Sequence, residues 1–141
     1  MTDRTIELIN QFKPEPVDIP INKCELEEAV EAIYTSMFPV CECDGSTSVS
    51  KELYEALKKL HKNVTQRTDK PTADRVVEGF MESLPKIRHR LFKDAQCYVA
   101  SDPAAKSIEE VILTYPGFFA LSIHRLAHLL HKLGKPLIAR H

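Results

Sequence analysis

Apolar residues recur at helical spacing along almost the whole of this 141-residue chain, and prolines cut the pattern into segments. Leu26, Ala29, Val30, Ile33 and Met37 fall on one face of a 3.6-residue period. Val49, Leu53, Leu57, Leu60 and Val64 do the same, with Lys51, Glu55, Lys58 and Lys62 on the opposite side. Val76, Val77, Phe80 and Met81 form a third set, and Ile87, Leu91, Ala95, Tyr98 and Val99 a fourth. No stretch alternates with period two between hairpin signals. A chain so patterned is expected to fold as an all-α bundle of about seven or eight helices.

Turn chemistry sets the expected boundaries. Ile6, Leu8, Ile9 and Phe12 suggest a short first helix, and Pro14, Pro16 and Pro20 then break regular structure. We therefore divide the chain into residues 1–20, a helix and proline-rich linker, and 21–141, a helical domain. Asn22 with Glu25 three residues on reads as a helix start, ending by Phe38-Pro39. Residues 43–48 form a polar loop. Thr72 is expected to cap the next helix, and Ser83-Leu84-Pro85 to restart the chain with proline in a first turn. Ser107-Ile108-Glu109-Glu110 reads as a capping box. Tyr115-Pro116-Gly117 ends that helix and opens the most apolar one, Phe118 to Leu133, with Gly134 at its C′ position and Pro136 opening one more turn.

Composition narrows the function. Nineteen Lys and Arg nearly balance 20 Asp and Glu, leaving a net charge of −1 with no pull toward nucleic acid or anionic membranes. No apolar run nears the roughly 20 residues that span a bilayer. The N-terminus lacks the apolar core of a signal peptide. A cytoplasmic protein is the expectation, with Cys24, Cys41, Cys43 and Cys97 as free thiols. Cys41 and Cys43 are one residue apart, and structural zinc sites favour wider spacing. His124, His128 and His131 recur at i, i+4 and i+7, but no carboxylate or thiolate on their helix completes a ligand set. No metal and no cofactor is expected.

Asp102 is the leading candidate for chemistry. Proline at 103 forces it out of the helical region, so its carboxylate stands on a turn. There it can accept charge-assisted hydrogen bonds from an ammonium or hydroxyl group. The same residue type before proline is also a common helix cap. The residues alone leave both roles open.

In combination, Asp102-Pro103-Ala104-Ala105, Tyr115-Pro116-Gly117-Phe118 and His124-Arg125-Leu126-Ala127-His128 resemble the N-terminal helical half of bacterial serine O-acetyltransferases. Leu84-Pro85-Lys86-Ile87-Arg88 adds to the likeness, which runs from about Leu84 to Arg140. Residues 1 to about 70 resemble the family only in general character, and Cys41-Glu42-Cys43 has no counterpart in it.

The resemblance implies a protein that works with L-serine and acetyl-CoA, forms O-acetylserine on the route to cysteine, and takes cysteine as a feedback inhibitor. It implies that Asp102 binds substrate and that Pro103 shapes its turn. Arg125 and His128 would be structural residues near the site, tying their helix to the domain. No catalytic residue is expected here. In the family the general-base histidine, its aspartate and the CoA channel belong to a left-handed β-helix, and hexapeptide repeats are expected to follow His141. The helical half would assemble homo-oligomers, supply half of the serine site and be inactive alone. The competing reading is a free-standing helical interaction module without enzymatic activity.

Overall fold

The computed structural model describes residues 2–15, 21–39 and 49–140, and these hold seven helices and no strand. The helices are α1 (Asp3–Gln11), α2 (Lys23–Met37), α3 (Val49–Thr65), α4 (Lys70–Ser101), α5 (Ile108–Thr114), α6 (Pro116–Lys132) and α7 (Pro136–Arg140). Residues 43–48, with Cys41 and part of the proline-rich linker, lie outside the described residues.

Helix α2 starts where its sequence says. The Asn22 side chain accepts the Glu25 N–H at 3.1 Å, filling one of the four unpaired donors at a helix start. A second asparagine holds this end from below. Asn63 on α3 is fully buried; its Oδ1 accepts the Asn22 N–H at 2.9 Å and its Nδ2 donates to the Lys59 carbonyl at 3.0 Å. The pairing of α2 with α3 is then apolar, through Leu26, Ala29, Ile33, Ala56, Leu60 and Val64. Lys59–Glu28 and Lys62–Glu25, each at 2.6 Å, fasten the rim of this pair. Lys59–Glu28 is a solvated pair and adds little to stability, while Glu25 is partly buried in its own pair.

Helix α4 departs from expectation. It runs unbroken for 32 residues, about 48 Å at 1.5 Å per residue. Pro85 lies inside it and does not restart the chain, and it begins at Lys70 after Asp69, not at Thr72. A proline in a helix interior costs about 3 kcal/mol. Phe80, Leu84, Ile87 and Leu91 are all buried on one face across it, each worth about 1.5–3 kcal/mol. That burial outweighs the proline.

Helix α4 is the spine to which α3, α5 and α6 attach. Gly79 permits the close approach of α6: a Cβ there would stand 3.1 Å from Leu133 Cδ2. Helix α6 ends as expected. Gly134 has φ +79°, its N–H donates to the His131 carbonyl at 3.0 Å, and Lys135 N–H donates to Leu130 at 2.9 Å. That paired closure suits a left-handed glycine. Phe118, Leu126 and Leu130 of α6 are buried, while Phe119 stays exposed. Helix α1 has its apolar face but buries none of it; Ile6, Leu8, Ile9 and Phe12 are all exposed.

Candidate functional site

The end of α4, the turn after it and the start of α6 together frame Asp102. Its backbone is extended (φ −106°, ψ 111°), as a residue before proline must be. Its N–H closes the last turn of α4 on the Tyr98 carbonyl at 2.9 Å. Its own carbonyl accepts the Ala105 N–H at 3.0 Å, which makes Asp102-Pro103-Ala104-Ala105 a β-turn with proline at the second place. Pro103 therefore opens a turn and not a helix, and the reading of Asp102 as the N-cap of a following helix does not hold; that place is taken by Ser107. The next helix starts six residues on at Ile108, where Ser107 accepts the Glu110 N–H at 3.1 Å. The Glu110 carboxylate reaches back one residue further than a capping box requires, to the Lys106 N–H at 2.9 Å.

Two donors fix the Asp102 carboxylate. Ala104 N–H donates to Oδ1 at 2.9 Å, and the Tyr115 hydroxyl donates to Oδ2 at 3.1 Å. A carboxylate offers about four acceptor sites, so two are left unused by the described residues. Pro103 and Ala104 are exposed and Ala105 is buried, so the turn is anchored from beneath and presents Asp102 at the surface. Burial holds the Tyr115 phenol above its ordinary range; the bond to Asp102 and the charges of Asp102 and Glu110 push the same way. The phenol thus stays protonated and stays a donor.

Tyr115 is positioned by an aromatic stack. Its ring meets Tyr98 edge-on at 5.9 Å, and Tyr98 meets Phe118 edge-on at 6.3 Å. Gly117 makes room for the Tyr98 hydroxyl, which a Cβ would approach to 3.2 Å. Across the bundle, Tyr34 of α2 donates to the Ile112 carbonyl of α5 at 2.7 Å and packs edge-on against Phe119. Arg88 donates to the Met37 carbonyl at 2.7 Å and lies over the Phe38 ring. The short helix α5 is thereby held between α2 and α4, and with it the path from Asp102 to Tyr115. Sequence reasoning missed Tyr115, Tyr98 and Gly117 as members of this site. The Tyr-Pro-Gly motif is the signal for Tyr115 and Gly117, while Tyr98 is legible only as part of an apolar helix face.

The remaining candidates lie elsewhere. Arg125 of α6 grips Asp94 of α4, with Nε at 2.9 Å and Nη2 at 2.7 Å from the same carboxylate oxygen. Asp94 is eight residues before Asp102, about 12 Å along the helix. His128 is exposed and stacks on His124, ring centroids 6.5 Å apart. Among the described residues no three His, Cys, Asp or Glu side chains are placed to hold a metal ion. Cys24 and Cys97 are exposed and free; Cys41 and Cys43 lie outside the described residues. No described helix is long and apolar enough to cross a membrane.

The serine acetyltransferase N-terminal domain matches residues 26–123, a span that includes Asp102 and Tyr115. The plasmid-borne serine acetyltransferase of Synechococcus elongatus is 41% identical over 85 residues, 55% of this chain and 27% of that protein. The serine acetyltransferase of Bacillus licheniformis is 48% identical over 50 residues, 36% of this chain and 23% of that protein. The chain thus spans about a quarter of the length of these curated relatives. Serine acetyltransferase 1 of Entamoeba histolytica, solved with L-cysteine, superimposes with a TM-score of 0.73 at 28% identity, over 95% of this chain and 52% of that one. Isoform 3 from the same organism, solved with cysteine, gives 0.72 at 20% identity, over 97% and 52%, a likeness of fold. The sequence motifs, the helical architecture and the family match agree: the chain belongs to the serine acetyltransferase N-terminal domain family.

Proposed function

We propose that this chain is the assembly and serine-site domain of a serine O-acetyltransferase, which converts L-serine and acetyl-CoA to O-acetyl-L-serine and CoA in cysteine biosynthesis. The observation that carries the proposal is the Asp102 carboxylate. Ala104 N–H and Tyr115 O–H fix it on a surface turn, and it keeps acceptor capacity for a ligand. Serine and cysteine share an α-ammonium group, which such a carboxylate can bind with a charge-assisted hydrogen bond. Inhibition by cysteine follows from the same geometry, and the cysteine-bound Entamoeba relatives support it. Pro103 sets the turn. Arg125 fixes α6 against α4 behind it, and His128 lies on the outer face of α6.

The proton transfer and the thioester attack belong to a β-helix domain that this domain serves. A general base must reach the serine hydroxyl while the carboxylate holds the other end of the substrate. Homo-oligomer formation is assigned to the helical domain, and α1, with its exposed apolar face, is the element most suited to it. The test is acetyl-CoA consumption with serine. A polypeptide joining this domain to a β-helix domain of the family turns over and is inhibited by L-cysteine; residues 1–141 alone do not. Turnover by residues 1–141 alone at a comparable rate would place the catalytic groups in the helices and overturn the proposal.

A further inference from the structure

A second concave surface lies on α4 and α6, away from the Asp102 turn. It is a groove of about 310 Å³. Lys86 and Arg90 line one wall with Ser83; His124, His128 and Lys132 line the other. Ile87 and Leu129 are its apolar lining. Among the described residues no carboxylate lines it. Arg125 also reaches it, but its charge is committed to Asp94. Lys86, Arg90 and Lys132 make no ion pair with any described residue, although elsewhere Lys23, Lys58, Lys59 and Lys62 each pair with a glutamate.

Ordinary helix electrostatics explains only part of this. Lys132 and His131 stand in the last turn of α6, where the dipole favours cations. Lys86, Arg90 and His124 stand at mid-helix, where it does not. Like charges gathered in a concavity repel one another unless an anion sits among them. The chain as a whole carries a net charge of −1, so the clustering is local and no general basic surface surrounds it. The donors also differ in kind: lysine ammonium groups, an arginine fork, imidazoles and a serine hydroxyl. Several oxygens on one small anion could be met at once.

We propose that this groove binds a small phosphate-bearing anion, held between Lys86 and Arg90 of α4 and His124, His128 and Lys132 of α6. Its size suits a pyrophosphate or nucleotide, and the isolated basic patch is too short to track a nucleic acid backbone. The site is separate from the serine turn, so its failure and that of the proposed function are distinguishable.

The experiment is calorimetric titration of residues 1–141 with inorganic pyrophosphate, ATP and, as a non-phosphate trianion, citrate. One pyrophosphate or ATP binds per chain, more tightly than citrate, and the affinity falls as salt is raised. Affinity for ATP above that for pyrophosphate identifies a nucleotide as the occupant; equal affinities identify the phosphates alone. Arg90→Gln and Lys86→Gln each weaken binding about tenfold, the loss of one charge-assisted contact. Lys51→Gln, on the exposed side of α3, leaves it unchanged. All three positions are exposed, so melting curves of the variants should match the parent and exclude misfolding. No saturable phosphate binding, citrate binding as tight as pyrophosphate, or binding indifferent to both Arg90→Gln and Lys86→Gln would overturn the proposal.

Discussion

The Tyr115 hydroxyl donates to Oδ2 of Asp102 at 3.1 Å, joining two residues 13 positions apart across the whole of α5. The bond does two things. It orients the carboxylate, and it ties the start of α6 to the end of α4.

Tyr115→Phe removes the donor and keeps the ring, so the edge-on packing with Tyr98 survives. In the complete enzyme we expect the serine KM to rise by up to about tenfold, the value of one hydrogen bond, with the acetyl-CoA KM unchanged. Steady-state kinetics at varied serine checks this. An unchanged serine KM would mean that Ala104 N–H alone orients Asp102.

Asn63 is the polar group most committed to the fold. It is fully buried and satisfies the Asn22 N–H at the start of α2. Asn63→Ala leaves that donor unpaired and removes packing as well. The expected cost is about 1–3 kcal/mol, read from urea denaturation. Asn22→Ala removes only the cap to Glu25 and costs about 1 kcal/mol. A smaller loss for Asn63→Ala than for Asn22→Ala contradicts the assignment.

Arg125 and Asp94 are each about a quarter to a third exposed, so their bond is partly screened. A double-mutant cycle with Arg125→Ala and Asp94→Ala should give a coupling of about 0.5–1 kcal/mol. Zero coupling would show that α6 is held to α4 by apolar contacts alone.

Local signals in this sequence are legible where the cause is local. Asn22, Ser107 and Gly134 act within four or five residues of themselves, and each sits as its residue type requires. The prolines divide into two groups. Pro116 and Pro136 open helices, but Pro85 lies within one, because a proline after Ser83 resembles a helix start until the packing on both sides is known. The burial of Phe80 and Leu91 decides the matter, and that depends on α3 and α6. The Asp102 site divides in the same way. Proline at 103 makes the extended backbone of Asp102 readable, and the β-turn follows from it. Its partner Tyr115 is not readable, because the pairing depends on the course of α5. The partnership of Arg125 with Asp94, 31 residues away, is hidden for the same reason. The basic groove is hidden too, since Lys86 and His124 face one another across it only when α4 and α6 pack side by side.

The central claim is that the Asp102 carboxylate binds the group common to serine and cysteine. Asp102→Asn tests it most directly, because asparagine keeps an oxygen for the Ala104 N–H and suits the same turn, yet carries no charge. The measurement is steady-state kinetics of the complete enzyme, varying serine and acetyl-CoA separately and titrating L-cysteine. The expected result is a loss of roughly tenfold to a hundredfold in serine kcat/KM and in cysteine affinity, with the acetyl-CoA KM unchanged. Parental values for both serine and cysteine would make Asp102 a turn former only and contradict the claim.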